Sequence, residues 1–269
     1  MIRFCRWALI LAISTVLVQP LEADEALPYA RWLDLEPFSL PANELLQAVQ
    51  ELPLPKPEDG TGSPERILLR RQFTTFDDDA TRHFENYEII RCDSNHVTTS
   101  GVAWMPQLGE QPMLRMRVIN PDGTETRTNP SDIRVQAGTG DLVTPVTEGQ
   151  IQTCLATMHV KAGSICEIHW RMSRRPENGD CNAYFEVGDS TRAMGCWMEV
   201  VDLPKSLEMR HVFNPVYLNN VFRKPDHSAD RYRMTTVATD IPPIALHSEL
   251  QVPVDTFNIL FPLWEATSS

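Results

Sequence analysis

From Arg66 onward the chain alternates apolar and polar residues in short runs punctuated by turn residues, and this two-residue period constrains the fold more than any other feature. In a strand, successive side chains point to opposite faces. In PMLRMRVI, therefore, Leu114, Met116 and Val118 share one face while Arg115 and Arg117 take the other. Pro121, Asp122 and Gly123 then turn the chain, because Pro fixes one backbone angle and Gly tolerates the positive φ that such turns require. TETRT, charged and threonine-rich, reads as the solvated return strand of a hairpin. Ile67 to Phe76, FENYEIIR, VTTSGVAWM and CLATMHVKAGSICEIHWRM repeat the pattern, the last with Ile165, Glu167 and His169 opposite Cys166, Ile168 and Trp170. Many short strands separated by turns predict a mainly β fold, an antiparallel β-sandwich that is large or carries an additional sheet layer.

The segments before this region read differently. MIRFCR is positively charged, WALILAISTVLV is apolar, and LEA ends at Ala23, so residues 1–23 are expected to be a secretory signal peptide. The apolar run is shorter than the roughly 20 residues that span a bilayer, which favours a cleaved leader over the alternative of an uncleaved membrane anchor, and no transmembrane segment is expected after cleavage. The expected location is the periplasm or the exterior. Residues 24–65 form an approach segment in which Asn43 is placed to cap a short helix, with Leu45, Leu46 and Val49 on one apolar face. The Pro- and Gly-rich ELPLPKPEDGTGSPE follows as a linker. The sandwich is expected over residues 66–254 and a tail over 255–269.

The formal net charge of −12 argues against a duplex-binding surface, which needs clustered Lys and Arg. No nucleic-acid partner is expected. Beyond Cys5 in the leader the cysteines are Cys92, Cys154, Cys166, Cys181 and Cys196, and an oxidising compartment permits disulfides. The turn-rich segment between Cys181 and Cys196 makes that pair the favoured bridge. The intervals from Cys154 to Cys196 lack the tight paired spacing of a structural zinc site. His83, His96, His159, His169, His227 and His247 form no close motif, so neither a metal nor a cofactor is expected. NPSD at 129–132 and GTGD at 138–141 read as polar turns, and Trp104, Trp170, Trp197 and Trp264 as core side chains with a glycan groove as their alternative use.

LRMRVINPDGTETRTNPSDIRV followed by HVKAGSICEIHWRM resembles the domain of unknown function that precedes transglutaminase-like domains in exported bacterial proteins. The matching positions are the turn Pro121, Asp122, Gly123 and the later Val160, Gly163, Glu167; Ala162 stands where the family usually has proline. The resemblance covers residues 66–222. It implies an accessory β-sandwich with no established chemistry. The expectation is a stand-alone or truncated, non-enzymatic binding or scaffolding domain of the bacterial cell envelope, whose partner is an envelope protein, a peptide or a glycan.

An enzymatic alternative rests on two fragments. Gly195, Cys196 and Trp197 resemble a transglutaminase nucleophile segment, and His211, Val212, Phe213 and Asn214 resemble its histidine segment, with Asp226 or Asp230 downstream. Cys196, His211 and Asp226 would then serve as nucleophile, base and orienting acid. Against this, MGCWMEVVDLP reads as strand, whereas such a cysteine opens a helix whose exposed amides lower its pKa.

Overall fold

The computed structural model describes residues 27–55, 63–107, 109–137, 151–175, 180–184, 189, 191–212, 221–227, 230–243 and 263–268. The leader and its cleavage point lie outside these residues, as do the middle of the linker (residues 56–62) and the GTGD turn.

The fold is mainly β, as the periodicity predicts. Its strands are β1 (Glu65–Phe76), β2 (Arg82–Cys92), β3 (His96–Trp104), β4 (Met113–Ile119), β5 (Glu125–Arg127), β6 (Arg134–Ala137) and β7 (Gln152–Val160). They continue with β8 (Ile165–Arg174), β9 (Asp180–Tyr184), β10 (Met194–Pro204), β11 (Leu207–Val212), β12 (Val221–His227), β13 (Arg231–Ile241) and β14 (Leu263–Ser268). An eight-stranded sheet runs β12-β13-β10-β1-β2-β8-β4-β5, and three-stranded sheets run β3-β7-β6 and β11-β14-β9. The described pairings are antiparallel except that of β1 with β10, which is parallel and makes the large sheet mixed.

One core lies between the eight-stranded sheet and the β3-β7-β6 sheet. It holds Ile67, Ile90, Met116, Val118, Ile168, Trp197 and Val201 from the first, and Val102, Trp104, Ala156, Met158 and Val160 from the second. The other face of the large sheet is also buried, under residues 27–55. That strap contributes Trp32, Leu45, Val49 and Leu52 against Leu69, Tyr87, Ile89, Cys196 and Met198. Its helix α1 (Ala42–Ala48) starts one residue before Asn43, with Pro41 at the N-cap and no side-chain cap. Leu45 is completely buried, which stabilises the docked helix by on the order of 2 kcal/mol. The strap passes so close to β10 that a Cβ on Gly195 would lie 1.9 Å from the Pro53 carbonyl oxygen. Contact with the strap therefore accounts for a glycine beside Cys196.

A register shift between Ile67 and Leu69 sorts the β1 side chains after it. Arg71 points to the strap, where Nη1 donates to the carbonyls of Trp32, Leu33 and Leu35 at 2.7, 3.1 and 2.6 Å. Arg70 and Gln72 point into the sandwich. Among the described residues no helix is long and apolar enough to cross a membrane.

Candidate functional site

The chain passes from the eight-stranded sheet to the β3-β7-β6 sheet in a tight corner, with Cys92 the last residue of β2 and His96 the first of β3. Glu65, the first residue of β1, stands directly opposite Cys92 in the β1–β2 ladder. The ladder and the corner together bring a carboxylate, a thiol and an imidazole together, with one ligand atom from each lying within 4.8 Å of the others. His96 Nε2 is 2.8 Å from Glu65 Oε1. Its Nδ1 is 3.0 Å from the Ser94 carbonyl, which can only accept, so Nδ1 carries a hydrogen.

The corner is braced on both sides. Arg66 grips Asp93 through Nε and Nη2 at 2.6 and 2.7 Å, and the Asp93 N–H donates to the Pro64 carbonyl at 2.7 Å. The second passage between the sheets, from β7 to β8, lies alongside. There the Gly163 N–H donates to the Cys92 carbonyl at 2.7 Å, the Cys92 N–H to the Ser164 carbonyl at 2.9 Å, and the Ala162 N–H to Asn95 Oδ1 at 2.8 Å. Gly163 has φ +83°, and a Cβ there would meet Pro121 Cγ at 3.0 Å. Ser164 Oγ donates to Asn120 Oδ1 at 3.0 Å. The Pro121–Gly123 and Gly163 turns thus pack on each other and buttress the corner that carries Cys92 and His96.

Burial first, then the Glu65 and Asp93 charges, push the Cys92 thiol up to about 12. Burial also works to raise Glu65, but hydrogen bonds from His96 and Thr98 and the Arg192 charge outweigh it and bring the carboxyl below its usual range. Arg192 Nη1 lies 3.1 Å from Glu65 Oε2, while its Nε and Nη2 hold Asp189 Oδ2 at 2.8 and 2.6 Å. This guanidinium connects the corner to a cavity of about 290 Å³ between the sheets, whose polar wall includes Arg70, Gln72, Asn86, Glu88, Asp189 and Arg192. Within the wall Arg70 Nε donates to Glu88 Oε1 at 2.8 Å, and Trp197 Nε1 to Gln72 Oε1 at 3.0 Å.

The residues singled out in the sequence lie elsewhere or in other roles. Cys196 is fully buried in β10 against the strap, unpaired, with its thiol pushed up to about 12 by burial. The expected Cys181–Cys196 bridge is therefore corrected: Cys196 is free, as are Cys92, Cys154 and Cys166, and Cys181 has its backbone paired with Ala266 in β14. His211 has its backbone in β11, and its side chain lies outside the described part of the molecule. Asp226 is exposed on β12, paired in register with Arg233. NPSD forms a capped polar turn in which the Asn129 N–H donates to Asp132 Oδ2 at 3.1 Å. Trp104 and Trp197 are buried in the core, and Trp170 stacks on Phe84 with ring centroids 4.9 Å apart.

Sequence spacing does not reveal the Glu65, Cys92, His96 group, because Glu65 reaches the other two only through the β1–β2 register. The available signal was Cys92-Asp93-Ser94-Asn95-His96, a cysteine and a histidine four apart across a turn between two strands.

No family model matches the chain, and no curated protein matches it. Among solved structures, a Parabacteroides distasonis chain described as a candidate protease superposes with a TM-score of 0.58 at 10% identity, over 76% of this chain and 40% of that one. A candidate nutrient-binding protein from Legionella pneumophila gives a TM-score of 0.40 at 8% identity, over 80% and 69%. The present chain thus spans well under half the length of the Parabacteroides protein. The expectation of a non-enzymatic domain is corrected by the side chains themselves: a thiol, an imidazole and a carboxylate converge at the corner between the sheets.

Proposed function

We propose that the protein is an exported hydrolytic enzyme acting on amide bonds of peptide-like substrates, with Glu65, Cys92 and His96 as its reactive group. The observation that carries this reading is the convergence of the three side chains at the corner between the sheets, where Arg192 ties Glu65 to the polar cavity. Cys92 and Cys196 are both fully buried, with thiols pushed up to about 12, and what distinguishes Cys92 is the imidazole and carboxylate beside it. Cavities lined by convergent polar groups beside titratable side chains are the usual places where substrates are held. The likeness to the Parabacteroides candidate protease supports an amide-bond substrate. The leader-like first 23 residues support an extracytoplasmic location, and the Pro121–Gly123 and Gly163 turn sequences support kinship with the domains that precede transglutaminase-like domains.

Each residue has a distinct role in this reading. His96 is oriented by Ser94 so that Nε2 faces the group, Glu65 holds that nitrogen, and Cys92 supplies the sulfur. The test is hydrolysis of a panel of peptide and aminoacyl amides by the mature protein beside Cys92→Ala and Cys196→Ala. Loss of turnover of at least about 100-fold in Cys92→Ala, with folding intact by circular dichroism, is expected. Cys196→Ala should retain turnover. Failure to cleave any amide, or turnover lost in Cys196→Ala and kept in Cys92→Ala, overturns the assignment.

A further inference from the structure

We infer that Glu65, Cys92 and His96 bind a divalent cation of the zinc class. The inference rests on the reading of these side chains as the reactive group and names the cofactor that group takes. Sulfur, imidazole nitrogen and carboxylate oxygen form a mixed donor set suited to a borderline-soft ion, whereas calcium and magnesium select oxygen. Three protein ligands leave one tetrahedral position for water or substrate, the pattern of a catalytic zinc site.

The geometry supports this beyond the choice of residue types. The three donor atoms already lie within 4.8 Å of one another. The His96–Glu65 contact of 2.8 Å needs to open only to the roughly 3.3 Å between ligands at zinc-bond length. A metal-bound histidine characteristically donates its other ring N–H to a carbonyl or carboxylate, and His96 Nδ1 does so to Ser94. Arg192 holds Glu65 Oε2, which leaves Oε1 on the histidine side as a monodentate ligand. Cys92 and Glu65 are fixed by the β1–β2 ladder, and His96 follows the corner braced by Arg66 and Asn95. Coordination replaces the thiol hydrogen of Cys92, and any hydrogen on His96 Nε2, with the cation; these protons pass to solvent.

The competing account is a simple His96–Glu65 ion pair beside an inert thiol, and it makes different predictions. The mature full-length protein, stripped with chelator, is titrated with Zn²⁺ against a chromophoric competitor and separately with Co²⁺. One equivalent should bind, Co²⁺ should give a sulfur-to-cobalt charge-transfer band, and binding should release protons. Cys92→Ser should abolish the band, and Cys92→Ser and His96→Gln should each weaken Zn²⁺ binding by at least about 100-fold. His83→Gln, remote from the site, should bind as the parent does. Circular dichroism establishes folding, and His96→Gln provides a second reading if Cys92→Ser is unstable. Absence of a stoichiometric site, or unchanged affinity in either folded ligand variant, overturns the inference. Stoichiometric zinc without amide hydrolysis would retain this inference and refute the proposed function; hydrolysis indifferent to chelation in a metal-free protein would do the reverse.

Discussion

The two faces of the eight-stranded sheet bury similar charges and neutralise them differently. On the strap face, Arg117 donates through Nε to Glu167 Oε2 at 2.6 Å, Tyr87 donates its hydroxyl to the same carboxylate, and Arg117 Nη1 reaches the Leu40 carbonyl at 3.0 Å. Phe38 closes this group, its ring beneath Arg115 and Arg117 at 5.0 and 5.5 Å. Backbone carbonyls of the strap serve as the final acceptors there. On the opposite face, Arg70, Glu88, Asp189 and Arg192 neutralise each other while a cavity remains between them. Charges closed by the chain's own backbone lock the fold, whereas charges that pair around open volume leave space for a substrate.

The strap face should therefore respond more strongly to the loss of one partner. Arg117 and Glu167 are each only 1% exposed, and removing one member of a buried pair leaves an uncompensated charge costing about 3–5 kcal/mol. Arg117→Met should lower the unfolding free energy by that amount in urea. A loss below about 1 kcal/mol would show that this face does not depend on the pair.

The cavity face offers a smaller, pH-dependent effect. Burial tends to raise Asp189, but Arg192 and the Thr191 amide overcome it and bring the carboxyl to about 2. Its folded pKa lies below its unfolded one, so its stabilisation is present above about pH 4 and is lost as pH falls through about 2. Asp189→Asn should cost about 2 kcal/mol at neutral pH. The variant should also lose the corresponding part of the stability slope between pH 4 and 2. Equal slopes in the two proteins would show that the wall of the cavity is not held by this pair.

Much of the sandwich was legible because strand periodicity is a local signal: Leu114, Met116 and Val118 turn inward together as the alternation requires. The second buried face was not legible. Arg117, Glu167 and His169 look like a solvated face in sequence, and only the docking of residues 27–55, far away in the chain, buries them. The parallel pairing of β1 with β10 is equally non-local. The candidate site combines both cases. Cys92 and His96 are separated by a single turn and could have been paired by inspection, but Glu65 joins them through a ladder whose register the sequence does not specify. The neighbours of Cys196, Gly195 and Trp197, resemble a nucleophile segment in sequence. Those neighbours serve the close passage of Pro53 and the hydrogen bond to Gln72.

The smallest expected effect on stability concerns the turn at Ala162. Lys161, Ala162, Gly163 and Ser164 form a turn in which the Ser164 N–H donates to the Lys161 carbonyl at 3.0 Å and Gly163 takes φ +83°. That is the geometry of a type II turn, which favours proline at its second position and therefore at residue 162. Proline there would reduce the freedom of the unfolded chain by about 0.4–1 kcal/mol. It would also remove the N–H that Ala162 donates to Asn95 at 2.8 Å, a bond whose loss costs about 1 kcal/mol. The two terms nearly cancel, so Ala162→Pro should leave stability within about 1 kcal/mol of the parent. The hydrogen bond it removes anchors Asn95, one residue before His96. Ala162→Pro should accordingly weaken zinc binding several-fold at nearly constant stability, whereas Asp189→Asn should lower stability more than it changes zinc affinity. If Ala162→Pro binds zinc as the parent does, the corner does not depend on this turn and alanine at 162 has no role in the site.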